Sequence, residues 1–165
     1  MADNSYYNRE EKIKILRSYL GNLFIAPEKI TKAKYSEVKL RMKEIESPLT
    51  ALIVSRDIEY LKLSAAILLT RNLNFVNYEV VDIDSLMNTW LGNDVGVSRD
   101  VVKTTDTLVI ISFGNSFFKN ISGLIESVVM KRQFDGLNTI ILTTSKEKAI
   151  TAMFDKEDII EFKKK

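Results

Sequence analysis

Polar side chains that could hold a phosphate group follow three apolar runs of the sequence, at residues 55–62, 112–116 and 143–146. A phosphate loop needs glycines, so that backbone N–H groups can converge on the phosphates, followed by Lys and Ser or Thr for charge and Mg²⁺. No glycine occurs between Gly21 and Gly92, which spans the first of these segments. We therefore predict that this segment does not bind nucleotide phosphates.

Acidic side chains in the first segment oppose phosphate binding further. Asp57 and Glu59 would repel an anion, and we interpret Lys62 and Ser64 as ordinary helix residues. After the most strand-like run, Ser112-Phe113-Gly114 stands where an acidic residue would hold Mg²⁺ in a phosphoryl-transfer site. We expect no cofactor, no metal site and no catalytic residue.

The composition excludes several other classes of chemistry. The 165 residues include no Cys and no His, so thiolate nucleophiles, zinc–thiolate sites, imidazole bases and His-ligated metals are all excluded. Carboxylate, Lys, Tyr and hydroxyl chemistry remains. An enzyme of that kind would use Asp57, Glu59 and Asp82, if they met at the ends of strands, but no motif supports it.

A second hypothesis is a regulatory ligand-binding domain of flavodoxin or receiver type. Its pocket for a small anion would be lined by Ser112, Asn115, Ser116, Thr143, Thr144 and Ser145. The same side chains are also common helix caps. A receiver needs paired acids after its first strand, and Arg56-Asp57 does not supply them.

The elements that must position these segments alternate between strands and helices. Short apolar runs predict strands at 51–54, 75–81, 107–111, 139–142 and 159–162. Helical spacing predicts helices at 9–20, 36–46, 58–73, 82–91, 115–132 and 146–154, with loops at 22–34 and 92–97. This alternation predicts a three-layer α/β domain at 48–165, with a parallel sheet between helices, preceded by a helical N-terminal arm at 1–47.

Basic side chains are concentrated in the arm. Residues 1–49 contain ten Lys or Arg against seven Asp or Glu. We expect either a solvated surface or weak, salt-dependent binding of DNA, with single strands favoured if Tyr6, Tyr7 and Tyr35 stack on bases. The candidate contacts for DNA or a protein partner are Arg9, Lys12, Arg17, Lys39, Arg41 and Arg132.

No targeting or membrane segment is visible in the sequence. The first 25 residues are polar, and the longest apolar stretch, Ala65 to Leu69, is far shorter than the ~20 residues that cross a bilayer. We therefore expect a cytoplasmic protein with no membrane partner.

One stretch carries a family likeness: an Arg at 132, a short spacer, and an apolar strand that ends in Thr143-Thr144. With it, Leu52–Leu73 is similar to a Walker A strand and helix, Tyr78–Leu91 to a second strand and helix, and Thr105–Gly114 to a Walker B strand. In this order and spacing the chain resembles the AAA+ core of bacterial replicative-helicase loaders and the related transposition ATPases.

The resemblance, which covers roughly residues 50–155, implies a P-loop-like fold without a lid and with both Walker motifs degenerate. It implies a non-catalytic module of DNA replication, in a plasmid, phage or other mobile element, that docks to a replicative helicase, to a catalytic loader subunit or to a second copy of itself. The N-terminal helices would then be the contacts, unless they pack on the α/β core. Their candidate apolar docking face is Ile13, Leu16, Tyr19 and Phe24.

Overall fold

The computed structural model describes residues 31–43, 45–46, 48–69, 78–90, 99–113, 118–144 and 148–162. The strands in this part of the chain are β1 (Thr50–Ser55), β2 (Tyr78–Asp82), β3 (Thr107–Ser112), β4 (Asn138–Thr143) and β5 (Ile159–Phe162). The helices are α1 (Lys32–Met42), α2 (Ile58–Ile67), α3 (Ile83–Trp90), α4 (Arg99–Thr104), α5 (Phe118–Phe134) and α6 (Lys148–Thr151). A 3₁₀ turn, Lys156–Asp158, leads into β5.

The five strands form one sheet in the order β2-β3-β4-β1-β5, and every neighbouring pair is parallel. β1 therefore lies between β4 and β5. A flavodoxin-like sheet instead places its first strand between the second and third. The flavodoxin- or receiver-like hypothesis does not match this strand order.

Helices cover both faces of the sheet, as buried parallel strands require. Alternate residues of the strands point to opposite faces. Ala51 and Ile53 of β1 pack with α1 and α2, whereas Leu52 and Val54 pack with residues of α3, α4, α5 and α6. The prediction of a three-layer α/β fold around a parallel sheet is confirmed, and the architecture is consistent with that of P-loop proteins.

α1 begins earlier than the sequence pattern predicts. The Thr31 side chain accepts a hydrogen bond from the Lys34 backbone N–H at 3.1 Å, and this cap starts the helix at Lys32. Residues 32–34 are therefore helical and not part of a loop. Val38 and Met42 are fully buried in the cluster that α1 shares with α2 and the sheet. This part of the predicted arm therefore packs on the α/β core. Such packing is the alternative to a partner contact that the sequence analysis leaves open for the N-terminal helices.

The other predicted elements lie close to their observed positions, with a few shifts at their ends. Asp82 is the last residue of β2, and its carboxylate accepts from the Ser85 N–H at 2.7 Å, so the predicted cap is confirmed. α6 is much shorter than the helix predicted for 146–154. The N–H groups of Met153 and Phe154 donate to the carbonyls of Ile150 and Thr151, three residues earlier, so the helix ends in a turn there. The short helix α4 has no counterpart in the prediction.

Several predictions lie outside the described residues, among them the helix at 9–20 and the loop at 92–97. Within the described part of the chain, none of the helices has the length and the apolar character needed to traverse a lipid bilayer.

Candidate functional site

The carboxyl edge of the sheet is where a parallel α/β fold usually binds ligands. Ser112 of β3 pairs with Thr143 of β4, and Val54 of β1 also pairs with Thr143, so the carboxyl ends of three adjacent strands meet there. Ser112 and Thr143 are almost completely buried. The other four members of the hydroxyl pocket predicted around them are a half-buried Thr144 and, outside the described residues, Asn115, Ser116 and Ser145.

The connection from β1 to α2 stands at the position of a phosphate loop, and an acidic side chain fills it. The Asp57 N–H donates to the Ser55 hydroxyl at 3.0 Å, which turns the chain tightly after β1. The Asp57 carboxylate then accepts from the Glu59 N–H at 3.0 Å and caps α2. The partial positive charge of this helix terminus is therefore met by the protein's own carboxylate.

A lysine of α1 neutralises the acidic side chains at this position. The Lys34 ammonium lies 2.7 Å from the Glu59 carboxylate and 3.2 Å from that of Asp57. All three side chains are about 30% exposed or less. The hydrogen bond to Glu59, helped by that to Asp57, raises the pKa of Lys34 above its ordinary value. This ion pair triangle fixes the first turn of α1 over the start of α2.

Two further side chains of α1 hold the helix against the same edge. Glu37 accepts a hydrogen bond of 2.8 Å from the Tyr60 hydroxyl, and this bond raises the pKa of Tyr60. Arg41 donates to the Glu161 carbonyl at 3.2 Å and lies over the Phe162 ring, 5.0 Å from its centroid. The rings of Tyr60 and Phe162 are stacked with centroids 5.0 Å apart.

The site that emerges is a set of contacts that α1 makes with the start of α2 and the end of β5, which we call the α1 clamp. Its members are Lys34, Glu37, Arg41, Asp57, Glu59, Tyr60 and Phe162. Sequence analysis singled out Asp57 and Glu59 as acids near a phosphate position and Lys34 and Arg41 as candidate DNA contacts, but it predicted none of the contacts within the clamp. The spacing of Lys34, Glu37 and Arg41, which places them on one side of a helix, was the available signal.

The basic residues predicted to contact a partner lie in different parts of the structure. Lys39 is exposed on α1, Arg41 belongs to the α1 clamp, and Arg9, Lys12 and Arg17 lie outside the described residues. Asp82, expected near Asp57 and Glu59 in the carboxylate hypothesis, ends β2, three strands away from β1. At ~4.8 Å per strand this is about 14 Å, so the three acids do not form one cluster.

Arg132 is not available to any partner, and the prediction that it contacts one is wrong. Its side chain is fully buried. It donates hydrogen bonds to the Thr139 hydroxyl at 3.0 Å, the Val102 carbonyl at 2.8 Å and the Asn138 carbonyl at 2.7 Å. Burial lowers the pKa of Arg132 to about 10, so the group is still charged at neutral pH. Arg132 therefore joins α5, α4 and β4 at the amino edge of the sheet.

No metal-binding chemistry is evident at the carboxyl edge: across the described residues, Asp and Glu side chains nowhere gather in a group of three that could hold an ion. β3 ends at Ser112, and Phe113 follows it.

In comparisons with known proteins, no protein-family model matches the sequence, and no curated protein is significantly similar to it.

Proposed function

We propose that this protein is a non-catalytic, helicase-loader-like AAA+ module that acts in cytoplasmic DNA replication by docking to a replicative helicase or to a catalytic loader subunit. The observation that carries the proposal is the α1 clamp. A P-loop-like sheet retains the strand and helix that would flank a nucleotide, while Asp57 and Lys34 fill the position of the phosphates.

The physical case against nucleotide binding rests on competition for one helix terminus. A bound phosphate gains from several backbone N–H donors that converge on it, and charge-assisted bonds contribute about 1.5–3 kcal/mol each. Here the Glu59 N–H already donates to Asp57, and the Asp57 N–H donates to Ser55. A phosphate would have to displace these bonds and approach two carboxylates. Loss of ATP chemistry with retention of the fold favours a docking role.

The outer face of α1 is the surface that we assign to docking. Leu40 is 70% exposed there, and Lys39 beside it is exposed as well. The inner face of the same helix is held by the α1 clamp and by the buried Val38 and Met42. A rigid helix that presents an apolar side chain next to a cation is a suitable contact for an acidic, partly apolar partner surface.

Calorimetry with ATP and Mg²⁺ tests the loss of nucleotide binding. We expect no binding heat for the unmodified protein, because the helix terminus is already capped. The variant Lys34→Met is the matched control: it removes the cation nearest to the site and leaves the fold's apolar contacts in place. A micromolar dissociation constant for the unmodified protein, weakened in this variant, would show an active phosphate site and overturn the proposal.

Docking is tested with the purified replicative helicase of the same organism, by light scattering after size-exclusion chromatography. A complex is expected, and Leu40→Glu should weaken it at least about tenfold, as loss of a central apolar contact does. Phe134→Glu is the matched control, since Phe134 is also largely exposed but belongs to α5 on the other face of the sheet. Absence of any complex with the helicase or with a loader subunit would contradict the proposal.

A further inference from the structure

A cleft of about 400 Å³ opens at the amino edge of the sheet, at the end opposite to the α1 clamp. It lies between the first residues of β1, the turn that follows α5 and the 3₁₀ turn before β5. This volume is within the range of pockets that take small ligands or a few side chains. The cleft begins just after the carboxyl end of α1, at Ile45 and Glu46, but it opens at the edge of the sheet opposite to the α1 clamp, so what it binds does not depend on the proposed replication role.

The cleft exists because β5 is shorter than β1. The ladder between the two strands begins at Leu52 and Ile159, so β5 does not extend alongside Thr50 and Ala51. The Leu49 carbonyl accepts from the Thr139 N–H at 2.9 Å and therefore points toward β4. Successive residues direct their backbone groups to alternate sides, so the N–H and C=O of Thr50 point to the side on which β5 is missing.

The lining combines an apolar floor with an acidic rim. Leu49, Ala51 and Ile160 are buried and form the floor. The rim includes three carboxylates, those of Glu46, Glu157 and Asp158. Among the described residues, no ion pair reaches any of the three. Burial, together with the charges of Asp155 and Glu157, raises the pKa of Asp158, as expected where negative charges stand close without a cation.

We propose that this cleft binds an extended peptide segment of a protein partner, one that carries a Lys or Arg next to an aliphatic side chain. The aliphatic group fills the apolar floor, the cation meets Glu157 and Asp158, and the peptide backbone pairs with Thr50 in the place that β5 leaves open. Addition of a strand to an open sheet position is an established mode of peptide recognition. The acidic rim disfavours nucleic acids and other anions, and selects a basic segment by charge complementarity.

The test uses a fluorescein-labelled peptide, Gly-Ser-Leu-Arg-Leu-Lys-Gly-Ser, and a matched peptide in which Glu replaces Arg and Lys. Anisotropy of the full chain should show saturable binding of the basic peptide, weakened by added salt, and no binding of the acidic one. The double variant Glu157→Gln/Asp158→Asn should weaken binding about three- to tenfold, as expected for loss of partly exposed charge pairs. Glu126→Gln, an exposed acid on α5, is the control and should leave the affinity unchanged.

A second variant and chemical-shift mapping distinguish a loss of binding at the cleft from an effect of the substitutions on folding. Gln133→Lys places a cation at the exposed rim of the cleft and should weaken binding in the same way. Amide chemical shifts should change on peptide addition at residues 49–51, 133–137 and 157–160. No binding at low salt, equal binding of both peptides, or shifts confined to other surfaces would overturn the proposal. Shifts at the cleft that depend on protein concentration without peptide would identify a second copy as the occupant and would likewise overturn it.

Discussion

At the scale of single residues, Arg132 shows how a basic side chain can serve the fold instead of a partner. α5 ends at Phe134, and Gly136 adopts a left-handed φ of 72° that lets the Leu137 N–H bond back to the Arg132 carbonyl at 2.8 Å. This turn brings β4 directly under the guanidinium. The charge is buried, but each of its three nitrogens donates a hydrogen bond to a neighbouring element.

Replacement of Arg132 by Met should lower the free energy of unfolding by about 3–5 kcal/mol. The change leaves the Val102 and Asn138 carbonyls and the Thr139 hydroxyl without their buried donor. Urea unfolding at neutral pH measures the loss. Lys131→Met is the control and should cost less than about 1 kcal/mol, because Lys131 is 58% exposed and forms a surface ion pair with Asp135. Similar losses in the two variants would contradict the structural role of Arg132.

The candidate site could be predicted only in part from the sequence. The absence of glycine and the presence of Asp57 and Glu59 indicate a turn after β1 that is capped by its own acidic side chain, and the structure has Asp57 as the cap of α2. The partners of these acids could not be found in this way, since Lys34 is more than 20 positions away and Phe162 more than 100. Contacts between such distant residues follow from the strand order, which local patterns do not encode.

At the scale of elements, α1 is a structural layer, and a matched pair of variants separates its two faces. Met42→Ala should cost about 2–5 kcal/mol of stability, because it opens a cavity beside α2 where Met42 is fully buried. Leu40→Ala, two positions earlier on the 70% exposed face, should change stability by no more than about 0.5 kcal/mol. Thermal unfolding of both variants checks this. Equal, small losses would mean that α1 is not packed on the sheet.

The α1 clamp should weaken at alkaline pH. The pKa values of Lys34 and Tyr60 are raised above their ordinary values of 10.5 and 10.0, so the folded protein holds both protons more tightly than the unfolded chain. The stability that these groups contribute is complete below about pH 10 and is lost as the pH rises through their folded pKa values. Denaturant unfolding from neutral pH to about pH 11 should show a steeper decline than in the double variant Lys34→Met/Tyr60→Phe.

An exposed lysine of the same helix provides the control for this pH dependence. Lys39→Met should decline with pH as the unmodified protein does, because Lys39 is solvent-exposed. If the double variant and the unmodified protein decline in parallel, the clamp does not contribute through these two protons.

At the scale of the whole molecule, the sequence predicts which segments form the sheet better than it predicts where each element begins and ends. Runs such as Leu108–Ile111 and Ile140–Leu142 are apolar at every position, because both faces of a central parallel strand are covered. Helix ends depend on single contacts, so the ends of α1 and α6 differ from their predicted positions by about two to four residues. The six-residue helix α4 is too short to give a periodic signal.

The DNA hypothesis now has fewer cations on α1 than the sequence offers. Lys34 and Arg41 belong to the α1 clamp, and the other basic side chains exposed on and just after this helix are Lys32, Lys39 and Lys43. If all three contact phosphates of a single strand, the logarithm of the binding constant should fall with log salt at a slope of about −2. Fluorescence anisotropy from about 50 to 200 mM salt measures this slope.

The triple variant Lys32→Gln/Lys39→Gln/Lys43→Gln should bring the salt slope close to zero. Glu126→Gln on α5 should leave it unchanged. No binding at the lowest salt, or an undiminished slope in the triple variant, would remove α1 from any role in DNA contact and leave protein docking as its function.

The position of β1 between β4 and β5 also determines when this protein can fold. Thr50 pairs with Thr139 and Leu52 with Ile159, so the two strands that hold β1 in place leave the ribosome about 90 and about 107 residues after it. Until then β1 and α2 expose apolar side chains that have no sheet to cover them. Such long-range pairing is slow and leaves a nascent chain open to aggregation. During synthesis the first half of the chain should therefore depend on chaperones, and early termination before β4 should yield an insoluble fragment and not a smaller domain.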